Sequence, residues 1–203
     1  MIITIDGLSW QGKTYTAGRL SAYLNIESFS LGIVVRKIAC EFLRHSESNA
    51  EDVAIMKAIN SVSEKVLTNL STEKNLYSMD VERALKKISQ YPYILPCARK
   101  IMIDYSDGRD VILDGRCTFD LFPQANTKFY FESSIMERAA LVSRINKWDM
   151  DRATKYINMR DSFEIAVNVP EDILRINPFL FSFVWLKYYS TKPSVFQWTS
   201  IKN

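Results

Sequence analysis

Apolar and polar positions alternate along this chain with two different periods, and the switches between them divide it into elements. Met1-Ile2-Ile3-Thr4-Ile5 is a short apolar run that reads as a strand, and Ala17, Leu20 and Leu24 then recur at i, i+3 and i+7, which predicts a helix over residues 14–24. A second short strand is expected at 27–31, followed by a helix at 32–43 carrying Ile33, Val34, Ile38, Ala39 and Phe42. The polar stretch 45–51 reads as a loop, with Ser48 or Asn49 available to cap a helix that runs to residue 67 or 70. Helices at 80–90 and 94–104 flank the Tyr91-Pro92 break, and Ser106-Asp107-Gly108-Arg109 makes a turn. Asp110-Val111-Ile112-Leu113-Asp114-Gly115 looks like a buried parallel strand ending in an acid. A strand at 127–131 precedes a helix capped by Ser133 or Ser134, and another helix is expected at 151–163. Beyond residue 167 the pattern is harder to read. The aromatic series Phe179, Phe181, Phe183, Trp185, Tyr188 and Tyr189 includes a period-two run that suits a final strand, or a patch facing a partner.

This order predicts a three-layer α/β domain with a central parallel sheet of about five strands and helices on both faces. At 203 residues the chain suits a single domain over 1–203, with room for a small inserted subdomain or lid. Its apolar fraction of 47% and charged fraction of 24% are ordinary for a soluble enzyme, and three widely spaced cysteines suit a reducing cytosol, so a cytoplasmic protein with no membrane partner is expected. The start of the chain lacks the basic segment and long apolar run of a signal peptide, and the run 179–186 is too short to cross a bilayer. A net charge of +3 is too slight to imply a nucleic-acid partner. Cys40, Cys97 and Cys117 are widely spaced, with His45 the sole histidine, so neither a disulfide framework nor a zinc site is indicated.

The first apolar run leads into Gly7-Leu8-Ser9-Trp10-Gln11-Gly12-Lys13-Thr14, which fits G-x-x-x-x-G-K-[ST] between a strand and a helix. In that pattern glycines let backbone N–H groups curl around a phosphate chain, the lysine reaches its outer phosphates, and the hydroxyl can ligate magnesium. Gly7, Gly12, Lys13 and Thr14 are therefore candidate ligands of a nucleoside triphosphate and its magnesium ion. Asp114, at the end of its apolar strand, is placed to assist Thr14 at the metal, directly or through water. Phosphoryl transfer also needs cations around an in-line transition state, and Arg36, Arg116, Arg138, Arg144, Arg152 and Arg160 fall where elements approach such a site.

From residue 3 to about 164 the ordered motifs resemble those of cytidylate kinases. Ile5-Asp6-Gly7 enters the loop; Gly32 and Arg36 resemble the G-x-x-x-R element; and Leu113-Asp114-Gly115-Arg116 resembles the D-G-R segment. Tyr91-Pro92 lies between these last two, and Phe122-Pro123-Gln124-Ala125, Lys128-Phe129-Tyr130-Phe131, Glu137-Arg138-Ala139 and Arg160-Asp161 follow in the family's order. The resemblance implies transfer of the γ-phosphoryl of ATP to a nucleoside monophosphate of CMP or dCMP type, or to a related phosphate- or phosphonate-bearing small molecule. It further implies a helical acceptor-binding region at 32–104 and a lid at 138–160. Arg36 and Arg116 would contact the acceptor phosphate with Cys117 and Asp161 nearby, while Lys13, Arg116, Arg152 and Arg160 would act on the transferring group. Such an enzyme works as a monomer or homodimer.

The chain also departs from the family. Cys117 stands where an acid follows D-G-R and helps to recognise the pentose; Ser30, Leu31 and Val35 replace polar and aromatic members of the acceptor element; and Leu95, Leu141 and Val142 stand where arginines are usual. Donor-side features survive better than acceptor-side ones, and Trp10 is a bulky side chain inside the loop. The competing expectation is a catalytically poor ATP-binding regulatory protein that uses its aromatic C-terminal segment for a partner.

Overall fold

A computed structural model describes residues 1–68, 76, 78–162 and 168–179, with side chains of 64–68 excepted. The opening run forms β1 (Ile2–Gly7), and the loop after it leads into α1 (Lys13–Leu24). Alternation along β1 puts Ile3 and Ile5 on one face and Thr4 and Asp6 on the other. Ile3 and Ile5 pack with Ala17 and Leu20 of α1 and with Ile112, Phe129, Phe131 and Ile176 in one buried cluster. The helix period of α1 and the strand period of β1 therefore meet in a single core, which anchors both ends of the loop between them.

Next come β2 (Glu27–Ser30), α2 (Leu31–Ser46), α3 (Glu51–Thr68), α4 (Met79–Ile88) and α5 (Ile94–Ser106). They precede β3 (Val111–Asp114), α6 (Thr118–Leu121), β4 (Thr127–Phe131), α7 (Ile135–Asn146), α8 (Met150–Asp161) and β5 (Leu174–Ile176). The sheet order is β2-β3-β1-β4-β5. β1 is parallel to β3 on one side and β4 on the other, with Ile5 opposite Asp114 and Phe129, and β5 runs parallel to β4. The expected α/β architecture with a parallel sheet of about five strands is thus observed, and the sheet brings the ends of β1 and β3 side by side.

Several boundaries differ from the sequence expectation. α2 runs through His45 to Ser46, and Asn49 donates to the His45 carbonyl oxygen at 2.8 Å, closing that helix end rather than opening α3. The short α6 and β5 were not expected, since four- and three-residue elements carry too little periodicity to read. Of the aromatic series, Phe179 alone falls within the described residues, and the rest of the period-two run expected to form a final strand lies outside them.

By internal packing the chain divides into two compact units: Met1–Ser28 with the described part of Asp110–Asn203, and Phe29–Arg109. The first holds most of the sheet and the loop. The second is helical, and within it Phe29 stacks on Tyr105 with ring centroids 4.3 Å apart, while Glu51 accepts from Tyr91 at 2.8 Å and pairs with Lys87 at 2.6 Å. Among the described residues no helix is long and apolar enough to cross a membrane.

Candidate active site

The loop joining β1 to α1 is shaped by its glycines. Gly7 has φ 138°, and a Cβ there would collide with Gln11 Oε1 and lie 2.5 Å from the Phe131 carbonyl oxygen. Gly12 has φ 73° with open space where a side chain would begin, and it precedes α1 without any side-chain cap. With no side-chain cap there, the helix dipole favours negative charge at the start of α1. Lys13 Nζ lies across the loop, 2.5 Å from the Leu8 carbonyl oxygen. Thr14 Oγ1 donates to Asp114 Oδ1 at 3.0 Å, so the hydroxyl at the start of α1 meets the carboxylate at the end of β3. A hydroxyl and a carboxylate are the hard oxygen donors that magnesium takes in company with nucleotide phosphates, and a glycine-lined helix start suits the phosphates themselves. These residues fit Mg-ATP.

β3 continues its pairing through Gly115, whose N–H donates to the Ile5 carbonyl oxygen at 3.1 Å, and this delivers Arg116 to the loop. Arg116 Nη2 donates to Ser9 Oγ at 2.7 Å. The next turn is pinned from beneath by Asp6, fully buried on β1, which accepts from Thr118 N at 2.7 Å, Thr118 Oγ1 at 2.6 Å and Phe119 N at 2.9 Å. Burial raises the Asp6 carboxyl above its ordinary range, against the opposing pull of these hydrogen bonds and of the Lys13 ammonium. Cys117 sits between Arg116 and Thr118 with φ 61° and packs against the cluster of Phe119, Tyr130, Val169 and Ile173.

On the other flank, α7 starts from a capping box formed by Ser134 and Glu137, and α8 starts from Asp149, whose side chain accepts from Arg152 N at 2.8 Å. Ala139 and Val142 of α7 pack against Ala153 and Ile157 of α8, with Trp10, Trp148 and Tyr156 around them. Trp10 has φ 63°, a left-handed conformation that costs a residue with a Cβ roughly 1–2 kcal/mol. Its ring meets Tyr156 edge-on at 6.2 Å, and this packing offsets the strain by fastening the loop to the α7–α8 hairpin.

Arg138 is 2% exposed and ties the same parts together. Its Nη1 donates to the Ser9 carbonyl oxygen at 3.2 Å and to Asp161 Oδ1 at 2.8 Å, and its Nη2 donates to Asp161 Oδ2 at 2.7 Å. Asp161, expected beside the acceptor, is thus engaged in a bidentate pair with Arg138. Arg160 precedes it in the last turn of α8, and Arg152 stacks over the Trp148 ring at 4.2 Å. In the helical unit, Arg36 is held by Glu82 at 2.7 Å and by the Leu76 carbonyl oxygen at 3.3 Å. The motif pattern had not singled out Ser9, and it had given Asp6 no site role. Neither holds a fixed motif chemistry, and their partners lie more than a hundred residues away in the chain.

A sequence model of the family described as cytidylate kinase matches residues 3–166. The chain is 26% identical over 179 residues to a cytidylate kinase of Cytophaga hutchinsonii, covering 79% of this chain and 76% of that protein. It is 27% identical to a cytidylate kinase of Alkaliphilus oremlandii over 175 residues, 80% of each. The fold also resembles the crystal structure of an uncharacterized protein from Eubacterium ventriosum, with a TM-score of 0.52 at 14% identity, covering 94% of this chain and 98% of that one. Because the family match extends from β1 past the loop and the Asp114 strand to the end of the α7–α8 hairpin, this chain belongs to the cytidylate kinase family and is an ATP-dependent phosphotransferase.

Proposed function

We propose that the protein phosphorylates a nucleoside monophosphate of the CMP or dCMP type, or a closely related phosphate- or phosphonate-bearing small molecule, at the expense of Mg-ATP. The observation that carries this reading is the hydrogen bond from Arg116 to Ser9, which sets an acceptor-type arginine directly against the donor loop. Gly7, Gly12, Lys13 and Thr14 hold the donor phosphates, and Thr14 with Asp114 holds the cation, directly or through water. Bound magnesium supplies charge neutralisation on the phosphates. Lys13 exchanges its contact with the Leu8 carbonyl for the outer phosphates and stabilises the charge that develops between donor and acceptor. Arg116 receives the acceptor phosphate, which is anionic at neutral pH and needs no strong base to act as nucleophile.

Arg36, with a side chain only 12% exposed and fixed by Glu82, serves the acceptor within the region 32–104. Arg152 and Arg160 belong to the lid at 138–160, and Arg152 leaves its seat on Trp148 when it acts on phosphate. The packing of Cys117 in an apolar cluster, where the family carries an acid, supports weak discrimination between ribose and deoxyribose.

The test is ATP consumption by the purified protein with CMP, dCMP, UMP, AMP, GMP, and phosphonate and sugar-phosphate acceptors, with product masses recorded. Turnover with CMP and dCMP at comparable efficiency is expected, and refusal of every nucleotide would remove the acceptor assignment. Lys13→Ala should lower kcat at least about a hundredfold in a folded protein. Near-normal turnover by that variant would sink the assigned role of the loop.

A further inference from the structure

Two arginines from distant segments converge on one loop residue at a variable position of the phosphate-loop motif. Ser9 is buried and lies between Gly7 and Gly12. Its carbonyl oxygen accepts from Arg138, and its hydroxyl oxygen accepts from Arg116. Arg138 in turn has little freedom, because it is buried and both terminal nitrogens are clamped by Asp161. The bidentate pair fixes the plane of the guanidinium, and the guanidinium fixes the backbone of Ser9. The hydroxyl that meets Arg116 is therefore presented from a rigid support, although Arg116 itself stands exposed at the end of β3.

We infer that Ser9 is a positioning residue for the acceptor side of the reaction, holding Arg116 at a set place relative to the donor loop. In-line transfer requires the reacting atoms about 3–3.5 Å apart, and small displacements of a positioning group are costly in rate. A cation hydrogen-bonded to the donor loop transmits the location of the donor phosphates to the acceptor phosphate. On this account Asp161 acts through Arg138 and Ser9 rather than by touching the acceptor. The inference rests on the reading of Arg116 as the ligand of the acceptor phosphate.

The test is a double-mutant cycle of Ser9→Ala and Arg116→Ala in the full chain, read by steady-state kinetics with CMP and by urea unfolding. Ser9→Ala should raise the KM for CMP about fivefold to tenfold, change the KM for ATP less than twofold, and add nothing further once Arg116 is alanine. Ser9→Thr, which keeps the hydroxyl, should restore the KM for CMP. Should the alanine protein fail to fold, Ser9→Cys tests the same point, since a thiol is a weak acceptor in place of the hydroxyl. Unfolding free energies that are coupled in the cycle, with an unmoved KM for CMP, would make the contact purely structural and overturn the inference. Additive effects, or equal rises in both KM values, would overturn it too. A wild-type protein without turnover on any nucleotide would instead overturn the acceptor reading, and the positioning role with it.

Discussion

At the scale of single residues, Asp6 shows how a buried charge can serve a site it never touches. Its carboxylate accepts from Thr118 and Phe119, and so fixes the turn that follows Arg116. Burial raises its folded pKa above the ordinary 3.8. The folded state then binds this proton more tightly than the unfolded state, so its contribution to stability is fully present below about pH 3.8 and is lost as pH rises through the folded value. Subtracting the pH dependence of Asp6→Asn unfolding from that of the native protein should isolate this falling component; a difference that rises with pH would contradict the assignment. Gly7, Gly12, Lys13, Thr14 and Asp114 were legible in the sequence because phosphate chemistry demands those residue types at that spacing. Ser9 was not, because a serine is chemically unremarkable until folding sets Arg116 and Arg138 against it.

Among the elements, legibility followed length and burial. β4 was read over residues 127–131, as observed, and Ser134 of the two candidate serines proved to be the cap of α7. α6 and β5 escaped because tertiary contacts specify them: α6 by Asp6 and by the packing of Phe119, β5 by its parallel pairing with β4. α8 depends on its cap in a way that can be measured. The Asp149 side chain holds an otherwise unpaired N–H in the first turn, and Asp149→Ala should destabilise the protein by about 1 kcal/mol. Differential scanning calorimetry would register this as a fall in Tm of roughly 2–4 °C, and an unchanged Tm would deny the cap its role.

For the molecule as a whole, the donor site couples ligand to stability. Mg-ATP at about a hundred times its Kd should stabilise the protein by about 2.7 kcal/mol, seen as a higher Tm. Thr14→Ala should shrink that shift by removing the hydroxyl that faces Asp114, whereas an undiminished shift would place the nucleotide elsewhere. The two units differ in how the chain builds them. The sheet-bearing unit is assembled from Met1–Ser28 and Asp110–Asn203, but the helical unit is one uninterrupted stretch, Phe29–Arg109. On the proposed reading, with the acceptor-binding region at 32–104, much of the substrate preference lies in one continuous block of coding sequence, open to exchange or drift that leaves the phosphate loop, Asp114 and Arg116 unedited. A chimera carrying residues 29–109 of a cytidylate kinase relative should accordingly inherit the acceptor choice of that relative while keeping the ATP KM of its host.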